Sequence, residues 1–317
     1  MHTFHKKIIG SLFILAVLNF YGQELTIPQF SQYLSDNPFL MSPTYAGIGN
    51  YVKVRASGLT QWVGIKNAPN TQSLSADVRL GYRSGVGMVL YNDSNGATEQ
   101  KGAKISFAHH LTIDQYEKHF FSFALSFNLN QFRINIENFD DTFDPSIIGD
   151  KASSNPNFDV GFLYRKDRFY LSANVSNLLN KDFSAYNLLY EPNILRNYYV
   201  YTGYRLRRHP RDVFEMEPSV FFQYFENDSR SSTDFNTKFR WYDFEDYYYL
   251  GFTYRFLNDQ FLKPLTFGPM IGLKKGDFYM GLSYHVFMND LVTESNTFQA
   301  TVGYDFLRGI SNCGCTR

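Results

Sequence analysis

Charge of one sign, cysteine, tryptophan and long apolar runs are all scarce in this sequence. Its 317 residues carry 30 Lys and Arg against 30 Asp and Glu, so the net charge is zero and the pI is about 7.1. That balance gives no footing for nucleic acid, which needs a concentrated basic surface. The only two cysteines, Cys313 and Cys315, stand as C-x-C near the end. A disulfide across one residue is strained and two sulfurs make a poor metal site, which leaves pairing with another chain or a trivial tail. No Gly-rich phosphate loop and no G-x-S-x-G occurs. The paired His109 and His110 fall on opposite faces of one strand and cannot act jointly on a metal or a substrate. An enzyme is therefore not expected, and neither is a cofactor or a metal. Asp140, Asp141, Asp144 and Asp150 lack the spacing of a calcium loop.

A mean hydropathy of −0.31 excludes a bundle of transmembrane helices. One apolar run approaches spanning length, at 8–20, behind His5, Lys6 and Lys7 and before the small Gly22. Thirteen residues reach only about 20 Å as a helix, short of the ~30 Å hydrocarbon core. The pattern is that of a cleaved signal peptide over 1–22, with no cysteine following it to carry a lipid. The chain is expected to leave the cytoplasm.

What is abundant is aromatic: 32 Phe and 24 Tyr, with only 2 Trp, make 18% of the chain. They fall into an alternation. Phe121, Phe123, Leu125, Phe127 and Leu129 are separated by Ser122, Ala124, Ser126 and Asn128, and similar runs surround Leu171, Phe252 and Val302. Period two means strands with one apolar and one polar face. About fourteen such runs follow, near 50–62, 70–81, 84–93, 102–112, 119–135, 157–166, 168–176, 196–206, 213–225, 232–242, 247–257, 265–275, 277–287 and 296–307. Most are about ten residues, the length of a tilted strand crossing a bilayer. Their polar positions are mostly Ser, Asn, Gly, Thr, Gln and Tyr, which suits a lumen better than an open surface. Tight turns such as 165–168 and 274–277 contrast with long connections at 136–156 and 177–195. The expected architecture is an all-β antiparallel barrel of about 14 strands over 50–307 in the outer membrane. Its long connections should lie outside the cell, and its 308–317 tail in the periplasm.

Residues 23–49 stand apart. Phe30, Tyr33, Leu34, Phe39, Leu40, Met41 and Tyr45 would be costly to leave in water, while Pro28, Pro38 and Pro43 forbid a continuous helix or central strand. A lumen plug, a periplasmic docking piece, or a segment packed on the barrel wall would each satisfy both facts. The basic group Arg205, Arg207, Arg208, His209 and Arg211 reads as a solvated rim, and Trp62 as a girdle or recognition residue at the end of the first strand.

This stretch also carries a resemblance. Gln29, Phe30, Ser31, Gln32 and Tyr33 lead through Asn37, Pro38 and Pro43 to Tyr45, Ala46 and Gly47. Gln61 and Trp62 follow, then Pro69 and Thr71. The pattern resembles the PorP/SprF family of outer-membrane proteins tied to type IX secretion and gliding. Val89-Leu90-Tyr91-Asn92-Asp93, Phe169-Tyr170-Leu171-Ser172 and Gly303-Tyr304-Asp305-Phe306 fit as well. Met41-Ser42-Pro43-Thr44 departs from the usual Leu-Asn-Pro-Ala, and Leu59-Thr60 stands where an Arg is common. The resemblance implies a barrel that binds, exports or anchors a secreted cell-surface protein through its C-terminal domain, alongside periplasmic secretion-system components. The alternative is a channel for small or hydrophobic solutes.

Overall fold

Alternation of this kind can be satisfied only if one face of every strand meets lipid or core and the other meets something polar, and closure leaves no edge unpaired. The computed structural model describes residues 32–65, 67–114, 119–134, 151–180, 196–207, 209, 211–227, 229–260, 264–288 and 296–309. It is a closed antiparallel barrel in which each strand pairs with its neighbours in the chain. The strands are β1 (Val52–Thr60), β2 (Asn70–Leu80), β3 (Ser84–Asn95), β4 (Thr98–Thr112), β5 (His119–Ile134), β6 (Lys151–Lys166) and β7 (Phe169–Ser176). They continue as β8 (Asn197–Tyr204), β9 (Phe214–Phe225), β10 (Ser231–Asp243), β11 (Asp246–Leu257), β12 (Pro264–Lys275), β13 (Phe278–Phe287) and β14 (Thr297–Phe306). β1 closes on β14 from Val52 opposite Phe306 to Thr60 opposite Phe298. The expected strand number is met.

The apolar face points outward. Phe123, Leu125, Phe127 and Leu129 are exposed on β5, while Ser122, Ala124, Ser126 and Asn128 are buried in the lumen. Such an outer surface is at home in hydrocarbon and not in water. Aromatic rings collect where the short connections lie: Trp241 stacks on Tyr248, Phe214 leans on Trp241, Tyr164 meets Phe121 and Phe169, and Tyr304 stacks on Phe306. This is an interfacial girdle.

Two sequence expectations need correction. The polar stretch expected as a loop between the strands 84–93 and 102–112 is mostly strand: β3 runs to Asn95, β4 starts at Thr98, and Gly96 (φ 60°) makes the tight turn. Residues 151–156 likewise belong to β6 and not to the long connection before it. A strand of 16 residues such as β5 or β6, at about 3.3 Å per residue and a tilt of about 40°, rises roughly 40 Å. That exceeds the apolar band of about 25 Å, so the β3–β6 wall extends beyond the membrane. There the outward face meets water in place of lipid and carries polar residues too, so the alternation that marks a strand fades although Asp93, Thr98, Gln100 and Phe132 stay buried on the inward face. The first strand, in turn, stops at Thr60, two residues before Trp62.

Residues 32–49 lie inside the barrel. They form three single 3₁₀ turns, Gln32–Leu34, Pro38–Leu40 and Pro43–Tyr45. Pro38 and Pro43 open the second and third turns, where a missing N–H costs nothing. Tyr33, Leu34, Phe39, Met41, Tyr45 and Ala46 share one apolar core with Val89, Leu163, Phe221 and Met270, wall residues that face the lumen.

Candidate functional site

The plug crosses the lumen and is pinned to both walls. On one side its end meets β2–β6. The Gly47 N–H donates to Asp77 (3.0 Å) and Asn37 Nδ2 to Ser75 Oγ (2.9 Å). His110 Nε2 lies 3.0 Å from the Ala46 carbonyl and its Nδ1 lies 2.7 Å from Ser122 Oγ. A carbonyl only accepts, so Nε2 carries the proton and Nδ1 accepts from Ser122. Glycines make room here. A Cβ on Gly87 would stand 2.4 Å from the Phe39 ring, and one on Gly85 2.1 Å from the Ala46 oxygen. Gly47 itself holds a left-handed φ of 72° against Gly85.

On the far wall Tyr33 donates to Asp234 (3.0 Å) and accepts from Asn236 (3.1 Å), with its ring edge-on to Tyr201 and tilted on Phe221. Lys238 Nζ donates to the Leu34 carbonyl (2.7 Å) and to Asp36 (2.8 Å), and Gln299 donates to Ser35 (3.2 Å). Asp36 has a left-handed φ of 50°, which turns its carboxylate toward Lys238, with Arg240 at 3.6 Å. Burial opposes ionisation of Asp36, but Lys238 and Arg240 outweigh it and hold the carboxyl well below the usual carboxylate range.

Behind these contacts the lumen is lined with paired charges. Register on β9 and β10 sets Glu217 opposite Lys238 and Glu215 opposite Arg240. Arg240 reaches Glu215 at 2.5 Å and also Glu217. Arg255 clasps Asp234 with two bonds of 2.6 and 2.8 Å, Arg55 and Lys274 share Asp305 at 2.7 Å each, and Lys104 meets Asp159 at 2.5 Å. These residues were not singled out from the sequence. A signal existed, since Glu215 and Glu217, and Asp234, Lys238 and Arg240, all fall on the polar phase of their alternating runs.

The motif residues named in the sequence divide into two groups. Gln32, Tyr33, Asn37, Pro38, Pro43, Tyr45, Ala46 and Gly47 lie together in the plug. Gln61, Trp62, Pro69 and Thr71 lie at the other mouth of the barrel, in or beside the β1–β2 connection. There the Gln61 N–H donates to the Pro69 carbonyl and Thr71 donates to Asp93 at 2.5 Å. Trp62 is half-buried in that connection with a left-handed φ of 50°, off the strand. Gln29, Phe30 and Ser31 lie outside the described residues, as do the Cys tail and the acidic residues of 140–150. Among the described residues no three His, Cys, Asp or Glu side chains gather as a metal site. Of the expected rim cations, Arg205 lines a cavity of about 320 Å³ between plug and wall at the short-connection end, and Arg207 lies over the Tyr242 ring at 3.9 Å.

The sequence from 22 to 304 matches the family model described as type IX secretion system membrane protein PorP/SprF. The chain belongs to the PorP/SprF family. The match covers nearly all of it, and with the closed barrel places this PorP/SprF protein in the outer membrane. No curated protein matches the sequence. Among solved structures, the CymD monoaromatic hydrocarbon channel is similar with a TM-score of 0.55 and 11% identity, over 87% of this chain and 93% of that one. A mutant of the TodX monoaromatic hydrocarbon channel gives 0.50 and 10%, over 86% and 94%. Likeness at such identity is likeness of fold.

Proposed function

We propose that this PorP/SprF protein is a non-enzymatic part of the type IX secretion or gliding apparatus that binds a secreted cell-surface protein and helps to export or anchor it. In this reading the partner is an adhesin-like protein engaged through its C-terminal domain, with periplasmic secretion-system components as further neighbours. A leader over 1–22 is removed, the short connections face the periplasm and the long ones the outside. The observation that carries the reading is the plug itself. The segment richest in family-specific residues crosses the lumen and is tied to opposite walls, an arrangement that favours holding a partner over passing solute. The other half of the motif, around Gln61 and Trp62, would meet the partner at the long-connection mouth.

Two measurements on the detergent-extracted protein test this. Co-purification with mass spectrometry should recover one large exported protein, and the yield should fall when Trp62 is replaced by Ala. Planar-bilayer recording should show no steady conductance. A conducting barrel with no captured partner would favour a channel instead.

A further inference from the structure

The plug descends through the lumen in chain order. Gly47 is held by Asp77 and packs on Gly85 beside the β2–β3 turn, and Ala46 meets His110 close to the end of β4, both at the short-connection end. Asn37 is held further along β2, at Ser75, while Leu34 and Asp36 meet Lys238 partway along β10. Tyr33 reaches furthest. Its hydroxyl bonds Asp234 and Asn236, toward the long-connection start of β10. The chain before Gln32 therefore leaves the plug at mid-barrel, with the rest of the plug between it and the short-connection mouth. The way back to that mouth is the cavity of about 320 Å³ beside Arg205, at the small end of the ~300–1,000 Å³ that drug-sized ligands fill. Nine residues, 23–31, are larger than that.

Beyond Tyr33 the lumen face of the wall is short of partners. Asn236 Oδ1, Gln223 Oε1, Asn197 Nδ2 and Thr297 Oγ1 have no hydrogen-bond partner among the described residues, although each of these side chains is at most 5% exposed. Gln223 is the next lumen-facing residue of β9 after Phe221, on which the Tyr33 ring is tilted, and Asn197 and Thr297 open β8 and β14 at the long-connection end. Polar atoms buried without a partner are costly. The four ask for different things: the two amide oxygens accept, the Asn197 nitrogen donates, and the hydroxyl does either. An ion of one sign meets part of that set. A polypeptide backbone, with N–H and C=O in alternation, meets all of it. The polypeptide that arrives there is this chain, which enters the plug at Gln32, next to Tyr33. Pro28 disfavours a helix, and nine extended residues reach about 30 Å, enough to pass the start of β10.

We propose that residues 23–31 run on from the plug along the lumen face of β8–β10, and that the processed N-terminus opens at the long-connection mouth. The proposal rests on removal of the leader over 1–22, which mass spectrometry of the N-terminal peptide checks by itself, and it needs no captured partner.

The test uses the full chain in cells, in a background lacking Cys313 and Cys315. Glu24→Cys should react with an impermeant maleimide from the same side of the membrane as a cysteine at Asn180, in the β7–β8 connection. A short bis-maleimide should bridge Gln29→Cys to Gln223→Cys, closing a loop that shifts the migration of the denatured chain. It should not bridge Gln29→Cys to Asp167→Cys, in the β6–β7 turn at the other mouth. Both results are required. Failure of Glu24→Cys to react from the Asn180 side, absence of the bridge to Gln223→Cys, or a bridge to Asp167→Cys overturns the proposal. Heat-modifiable migration establishes that each variant is assembled, and if Gln223→Cys does not assemble, its hydrogen-bonded neighbour Ser232→Cys takes its place.

Discussion

Asp36 stands in the plug with Lys238 2.8 Å and Arg240 3.6 Å from its carboxylate, both cations on the opposing wall. Asn at this position keeps the shape and removes the charge, leaving Lys238 only neutral oxygens of the plug, the Leu34 carbonyl and the amide, to face. Losing one partner of a buried ion pair costs about 3–5 kcal/mol, and the glutamates that still hold Arg240 set Asp36→Asn near 3. Unfolding free energies in lipid vesicles should show that loss. Because the carboxyl is held below its ordinary value, its contribution is present above the unfolded value near 4 and is lost as pH falls through the folded one. The difference between wild type and Asp36→Asn should therefore be flat from pH 5 to 8 and shrink below about pH 4. A change between pH 6 and 8 would assign the titration to another group. Gly87 makes the same point sterically. Gly87→Val drives a methyl into the Phe39 ring and should destabilise by about 1–3 kcal/mol. Adding Phe39→Ala should cost less than the two single changes summed, since both act on one contact.

Strands report their depth in the membrane through their outward positions. On β4 these read Glu99, Lys101, Ala103, Ile105 and Phe107, and Glu99 with Lys101 forms a solvent-facing ion pair of 2.7 Å. The bilayer boundary on this strand thus lies near Ala103. On β5, Leu125→Arg, deeper in the apolar band, should cost about 2–4 kcal/mol, and Ile105→Arg, close to the boundary, should cost less, whereas Lys101 should tolerate any polar residue. Equal tolerance at Ile105 and Lys101 would contradict the embedded barrel. The same profile explains what could be read in advance. Inside the membrane, lipid and lumen make opposite demands and write period two into the sequence, so all fourteen strands were legible there. Above it the lipid makes no demand, and Asp93 to Lys101 looked like a loop though Asp93, Ser94 and Asn95 pair with Gln100, Glu99 and Thr98 around the turn at Gly96. The site was legible in part. Apolar residues broken by prolines announced an ordered segment at 23–49, but not its place in the lumen. That place depends on Gly85, Gly87, Asp77 and Lys238, residues far away in sequence whose pairing with the plug leaves no local trace.

At the scale of the whole molecule, barrel and plug are separable. β1 is paired on both edges, with β14 from Val52 to Thr60 and with β2 from Lys53 to Thr60, and residues 32–49 add no strand to the sheet. The hydrogen-bond cylinder that the bilayer requires is complete without them. Orientation can be fixed first, in a background lacking Cys313 and Cys315. A cysteine at Asn180, in the β7–β8 connection, should react with an impermeant maleimide on intact cells. One at Glu245, in the tight β10–β11 turn, should not, and the reverse pattern would invert the topology. Deleting 24–46 then removes Tyr33, Asp36 and Phe39 with everything they hold, but leaves Gly47 on Asp77 and every strand intact. Lys238 and Arg240 lose Asp36, yet the emptied lumen admits water, so their charges are solvated and not stranded. The truncated chain should therefore still insert as a heat-modifiable barrel. It should also fail to display its secreted partner, because the segment that crosses the lumen is gone. Normal assembly with full display would rule out a functional plug, and loss of the barrel would reduce the segment to packing for the wall.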